Sequence, residues 1–326
     1  MAAKSLEICV DKIYLEKSWK NAYAAIRPPG HHAAAHGDTN EASGFCFVNN
    51  VVCGVRHAQK RYGVRRIVIF DWDVHHGDSS QRLLYEDADV LYISFHRYDG
   101  GGMFPGPSGD PKKVGAGKGV GFNLNLGWNA WWNRDYKVVG SEEYIFAFER
   151  LVTPILEEFK PELTFISAGF DSCVGDQLGG IGVKPSCYAY MTKRLSELTL
   201  EKRVIVALEG GYNLDQIALA GECVFRALRK EQDPLPSFEP GNKMSYKQMF
   251  DAAYPTWTNY GTITAVHDIW LPYWPCLTFS INPQAPILAL EDKVEAWKSI
   301  RKNIVGPNLK KHNHIIFEDS NKSVKK

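Results

Sequence analysis

The 326-residue chain has no apolar run approaching the length of a bilayer span, no excess of either charge and no Cys-x-x-Cys pair. A membrane helix needs about 20 consecutive, mostly apolar residues, so none is expected. With 38 basic against 37 acidic residues the net charge is +1, too balanced for bulk electrostatic capture of nucleic acid or an anionic membrane. The seven cysteines, at 9, 46, 53, 173, 187, 223 and 276, are odd in number and follow no recognisable secretory leader. Reduced thiols in a cytoplasmic or nuclear protein are therefore expected, not a disulfide framework. What is present, 44% hydrophobic and 23% charged residues, suits one large α/β domain or two small ones.

The chain is organised around residues 66–79, RIVIFDWDVHHGDS. Its apolar run, 67–70, is mostly β-branched, too short for a helix and suited to a buried parallel strand. Asp71, Asp73, His75, His76 and Asp78 follow at once, more polarity than a core tolerates without a purpose. In an extended segment alternate side chains share a face, so Asp73 and His75 are predicted to offer a carboxylate oxygen and an imidazole nitrogen to one point. An isolated Asp-x-His is also what a polar loop looks like, so other strand ends have to decide.

Several do. Residues 22–27 (AYAAIR) read as a strand closed by Pro28-Pro29-Gly30, with His31 and His32 directly after. A turn at 43–50 leads into a helix through Ala58, and Phe45, beside Gly44, is either a pocket wall or core. Residues 81–85 read as helix and 90–95 (VLYISF) as the next strand, with Ser94 and His96 at its end. The stretch 100–109 (GGGMFPGPSG) cannot be regular, and Phe104 within it is exposed unless it lines something. Residues 121–126 alternate as a strand, 142–159 carry apolar residues at helical spacing, and 163–167 (LTFIS) form a buried strand followed by Asp171 and Asp176. A helix at 184–200 precedes the strand 204–208 (VIVAL), after which Gly210-Gly211 deliver Tyr212, by itself more often a packing residue.

Strands alternating with helices imply a three-layer α/β fold, a mainly parallel sheet flanked by helices, in which ligands bind beyond the carboxyl ends of the strands. Four strand ends carry His31-His32, Asp71 to Asp78, Asp171 and Tyr212, all predicted to face one crevice. Asp73, His75 and Asp171 make a three-donor set suited to a catalytic zinc with an open position. The two histidines are then free for proton transfer and the tyrosine hydroxyl for an oxyanion.

RPPGHHA, GFCFVNN, DWDVHHGD, SFHRYDGG, SAGFDSCVGDQLGG and LEGGYN, spread over residues 27–228, resemble the zinc-dependent histone deacetylase family, with wording closest to its class IIb members. The resemblance implies an arginase-like fold and hydrolysis of acetyl-lysine amides in histone or other proteins. It implies zinc on Asp73, His75 and Asp171, a proton-transfer pair His31 and His32 oriented by Asp71 and Asp78, and Tyr212 on the carbonyl oxygen. Phe45 and Phe104 would flank the acetyl-lysine channel, with the Gly44 carbonyl facing it. A structural potassium ion would use Asp71, Asp73, His75, Ser94 and Phe95, partly through backbone oxygens. Polyamine-deacetylating relatives carry a glutamate where Leu178 stands, so an acetylated protein is the expected substrate. Neither nucleic acid nor membrane is an expected partner, and the sequence names no corepressor or cytoskeletal one.

Family domains have further strands before the one leading into PPGHH, so residues 22–27 are expected to form an exposed sheet edge in a shortened domain. The expected organisation is one catalytic domain over 1–305, with a core at 20–230, a linker-like stretch at 234–240, a helix at 290–304 and a polar, disordered tail at 306–326. Two other functions remain open at this stage: hydrolysis of acetylpolyamine or another small amide on the same fold, and a truncated, inactive acyl-lysine binder or assembly subunit.

Overall fold

The computed structural model describes residues 1–16, 19–33, 42–130, 139–230, 247–249, 253, 255–278 and 280–281. Six strands, β1 (Asn21–Ala24), β2 (Ile67–Asp71), β3 (Val90–Arg97), β4 (Asn123–Trp128), β5 (Leu163–Ala168) and β6 (Val204–Leu208), pair in parallel in the order β1-β6-β5-β2-β3-β4. Nearly every strand residue is buried, as a sheet covered on both faces requires. Alternation sorts them. Val68, Phe70, Ile93, Leu124 and Val206 enter one core, while Ile67, Ile69, Tyr92, Phe165 and Ile205 enter the other.

The second core is closed by α1 (Ala2–Leu15) and α2 (Asn50–Tyr62), through Leu6, Val10, Ile13, Val51 and Val55. Asn49 caps α2 by accepting from the Val52 amide at 3.0 Å, and Gly63 ends it in the left-handed conformation at φ 68°. The first core is closed by α4 (Ser141–Ala147), α5 (Thr153–Phe159), α6 (Pro185–Leu198), α7 (Leu214–Leu228) and α8 (Trp257–Trp270). Short α3 (Asp78–Leu84) starts at the end of the organising stretch.

Two expectations need correction, and one helix was not anticipated. The strand predicted for 22–27 stops at Ala24, because the Ile26 amide turns back to the Ala24 carbonyl at 2.9 Å. The helix predicted for 142–159 is divided by a wider π-type turn, Phe148–Val152, just before Pro154, which cannot donate to the turn behind it. Helix α8 lies where no periodicity was visible. The predicted linker at 234–240, helix at 290–304 and tail at 306–326 lie outside the described residues. Among the described residues β1 is an edge strand, paired with β6 alone, and none of the helices is long and apolar enough to cross a membrane.

The strand order reverses between β2 and β5: from β2 the chain steps outward to β3 and β4, and from β5 it steps the other way to β6. Such a reversal opens a crevice beyond the carboxyl ends of the two central strands.

Candidate active site and metal centre

Asp73 and His75 leave the end of β2 and Asp171 the end of β5, so the reversal brings the three together. Their donor atoms lie within 4.8 Å of one another. His75 Nδ1 is 3.2 Å from Asp73 Oδ1 and 3.1 Å from Asp171 Oδ2. Both carboxylates are fully buried and the imidazole is 12% exposed. The free oxygens are occupied: Gly210 N donates to Asp73 Oδ2 at 2.8 Å and Val74 N to Asp171 Oδ1 at 2.7 Å.

Backbone approaches this group closely where glycine stands. A Cβ on Gly169 would sit 2.0 Å from Asp73 Oδ2, and one on Gly210 would sit 2.3 Å from Asp171 Oδ2. Two buried carboxylates and one imidazole are a hard, mixed oxygen and nitrogen donor set of the kind that holds a divalent ion with positions left open. Burial and the neighbouring Asp73 push Asp171 up to about 6, whereas His75, despite burial, is raised to about 10 by Asp171 and Asp73.

His31 and His32 stand side by side with ring centroids 4.0 Å apart, and each Nδ1 meets its own carboxylate. His31 is 3.0 Å from Asp71 Oδ2, and His32 is 2.8 Å from Asp78 Oδ1. Their environments diverge. Burial opposes charge on His31, but Asp73, Asp71 and Glu209 outweigh it and hold its pKa well above the usual range. Burial and the charge on His31 push His32 down to about 4. His31 is thus disposed to hold a proton and His32 to stay neutral and accept one.

Pro29, Gly44, Phe45, Phe104, Leu178 and Tyr212 complete a cleft of about 260 Å³ over these groups. A Cβ on Gly44 would strike the His32 ring at 2.4 Å, so the wall closes only on glycine. Phe104 is edge-on to His32 at 5.0 Å, and Phe45 lies 6.3 Å from the Tyr212 ring. Phe45, at 67% exposure, is a wall and not core. Leu178, 53% exposed, stands at the mouth. Tyr212 is fixed by its own amide, which donates to Asp176 Oδ2 at 2.8 Å. Burial, with Asp73 and Asp171 nearby, raises its hydroxyl pKa, so it stays a donor.

The remaining predicted residues are also near. Asp71 Oδ2 accepts from Tyr92 Oη at 3.0 Å, and Asp71 pairs in register with Ser94 on β3. Ser94 Oγ is 2.8 Å from His96 Nδ1, and Phe95 is buried against Phe70.

Sequence reasoning missed Glu209. Fully buried at the end of β6, it accepts from the Gly30 and His31 amides at 2.7 and 3.3 Å and from Ser167 Oγ at 3.3 Å, fixing the histidine loop. The available signal was an acid between an apolar strand and a glycine pair. Burial outweighs the pull of His31 and raises its pKa from 4.5 to about 7. A carboxyl whose folded pKa is raised stabilises the fold fully below pH 4.5 and loses that contribution as pH rises through 7. The loss is on the order of 3 kcal/mol. Glutamine keeps an acceptor for the two amides without the charge. Denaturant titrations of metal-free Glu209→Gln between pH 5 and pH 8 should lack that decline; an unchanged pH profile would assign the decline to other groups.

Sheet order and site together put the chain among three-layer α/β proteins whose candidate metal centre lies at the carboxyl ends of the central strands. Comparison with known proteins narrows this. A profile of the histone deacetylase domain matches residues 1–228. Histone deacetylase HDA1 of Saccharomyces cerevisiae is 42% identical over 251 residues, 76% of this chain and 34% of that protein. Histone deacetylase 7 of Homo sapiens is 41% identical over 261 residues, 79% of this chain and 25% of that protein. The crystal structure of the HDA15 HD domain superposes with a TM-score of 0.72 at 35% identity, covering 86% of this chain and 69% of that one. The chain belongs to the histone deacetylase family. It spans about a third or less of the length of these two curated relatives.

Proposed function

We propose that this chain hydrolyses the acetyl amide of N6-acetyl-lysine in proteins, releasing acetate and the lysine amine, with zinc held by Asp73, His75 and Asp171. The observation that carries the reading is one aromatic-walled cleft in which the Asp-His-Asp group, a neutral histidine and a tyrosine converge. Zinc in this donor set would polarise the amide carbonyl and acidify water near neutral pH.

The chain's own residues supply the rest. His32 accepts a proton from water as the water oxygen bonds to the amide carbon, and Asp78 steadies the resulting imidazolium. Tyr212 donates to the oxyanion that forms. As the carbon–nitrogen bond breaks, the histidine pair returns the proton to the leaving amine, with Asp71 orienting His31. Phe45 and Phe104 bind the neutral side chain along its length, and the Gly44 carbonyl faces it.

Leu178 at the mouth offers no charge to attract a polyamine, which favours an acetylated protein, histone or otherwise, in the cytoplasm or nucleus. A potassium ion structuring the β2 end is part of the proposal, using Asp71, Ser94 and Phe95 with the Asp73 and His75 backbone; the register of Asp71 with Ser94 supports it.

The test is turnover by the purified chain of an acetyl-lysine peptide against N8-acetylspermidine, with zinc content measured in parallel. About one zinc per chain and faster peptide turnover are expected. Preference for the polyamine would overturn the substrate, and a zinc-replete chain without turnover would overturn the activity.

A further inference from the structure

The loop between β3 and β4 carries Phe104, and its own structure is limited to single turns, at Asp99–Gly101, Pro107–Gly109 and Gly117–Gly119. Residues 100–109 hold five glycines and two prolines, and Gly100, Gly101 and Gly106 sit at φ 65°, 92° and 98°. Short local turns do not fix a wall of a cleft. Its first end is tied by Asp99, which accepts from Arg97 Nε at 2.6 Å and from the Ala130 amide at 2.7 Å.

The far end is held from within the protein. Gln81 Nε2 donates to the Ser108 carbonyl at 2.9 Å, His96 Nε2 to the Gly109 carbonyl at 2.9 Å, Asn125 Nδ2 to the Asp110 carbonyl at 3.2 Å and Asn123 Nδ2 to the Lys113 carbonyl at 2.6 Å. His76 Nδ1 meets Ser108 Oγ at 3.0 Å. All five anchoring side chains are at most 6% exposed. Loop carbonyls ordinarily go to water; here consecutive ones are gathered by buried side chains.

Gln81 is the hub. Its Oε1 accepts from both Asn123 and Asn125 at 2.8 Å while its Nε2 holds Ser108, so every atom of its amide is used. It stands on α3, one turn after Asp78, and residues so spaced share a helix face. Thus one short helix both orients His32, through Asp78, and anchors the loop whose Phe104 lies 5.0 Å from the His32 ring.

We propose that Gln81 is a positioning residue that sets Phe104 against His32 and so fixes the width of the cleft for the acyl-lysine side chain. The inference rests on the deacetylase reading for its substrate. A wall that binds ground state and transition state alike changes KM and not kcat.

Gln81→Leu in the full chain should raise KM for an acetyl-lysine peptide about fivefold with kcat within about twofold. In a Phe104→Ala background the same substitution should leave KM unchanged, because the wall it positions is gone. Amide hydrogen exchange should quicken across residues 99–113. An equal rise in KM in both backgrounds, or unaltered exchange in the loop, overturns the proposal. Should Gln81→Leu fail to fold, Gln81→Glu, which keeps the acceptor for Asn123 and Asn125 and removes the donor to the Ser108 carbonyl, takes its place in the same cycle with the same expected rise in KM. If the unsubstituted chain does not turn over the peptide, the deacetylase reading falls, and the exchange measurement still decides whether Gln81 holds the loop.

Discussion

Asp171→Asn is expected to weaken metal binding at least about a hundredfold while leaving the sheet folded. The amide oxygen can go on accepting from the Val74 backbone, which the carboxylate does at 2.7 Å, so no buried donor is orphaned. What disappears is the charge and the ligand oxygen facing His75, 3.1 Å away. Removing mere supporting partners of a metal site costs 10- to 100-fold in affinity, so losing a ligand should cost at least about a hundredfold. Turnover should fall by about three orders of magnitude or more, since polarising the carbonyl and acidifying water are lost together. The measurement that does not depend on turnover is the melting temperature with and without zinc: the parent should rise on adding the ion and the variant should not. A variant that still melts higher with zinc would remove Asp171 from the ligand set.

The second large effect is expected at Tyr212→Phe, by a different route. The ring stays in place beside Phe45 and the backbone bond to Asp176 survives, so folding and the melting response to zinc should match the parent. Only the hydroxyl goes. A single preorganised donor to an oxyanion contributes a factor of about 100 to 1,000 in kcat, roughly 3 to 4 kcal/mol. KM should stay within about threefold, because the donor acts on charge that develops only in the transition state. Equal kcat in the two proteins would show that the hydroxyl does not meet the oxyanion, and a collapse of zinc binding would make Tyr212 a structural residue.

Both predictions use residues readable from the sequence, for a common reason. Chemistry-bearing side chains at the ends of short apolar strands break a pattern, and Asp73, His75, Asp171 and Tyr212 all stand at such breaks. The strands were legible because a parallel sheet buried on both faces is written in continuous apolar runs. Their order was not, since no local pattern records that β5 returns beside β2, and it is this return that assembles the Asp-His-Asp group.

The helix α8 was hidden by its composition. Threonine, valine, isoleucine and Gly261 are weak helix formers, and packing of Ile263, Val266 and Trp270 into the core decides its conformation. The surroundings of Asn123 and Asn125 were illegible for another reason. An alternating strand suggests a polar face toward water, yet these amides turn inward onto Gln81. Glu209 was passed over because nothing in its local sequence shows that β6 lies beside β1, which is what lets it reach the Gly30 and His31 amides.

That last contact bears on how competence is acquired. The bonds that define the site join residues 40, 97, 137 and 179 positions apart, from His31 with Asp71 to Gly30 with Glu209. Contacts so distant in sequence form only after the intervening chain has condensed, and proteins dominated by them fold slowly. No contiguous half of the chain holds the proposed proton acceptor, metal donors and oxyanion donor at once. On the proposed mechanism no turnover is expected until β6 docks, so activity in a refolding mixture would count molecules whose sheet has closed, with no signal from those part-way there.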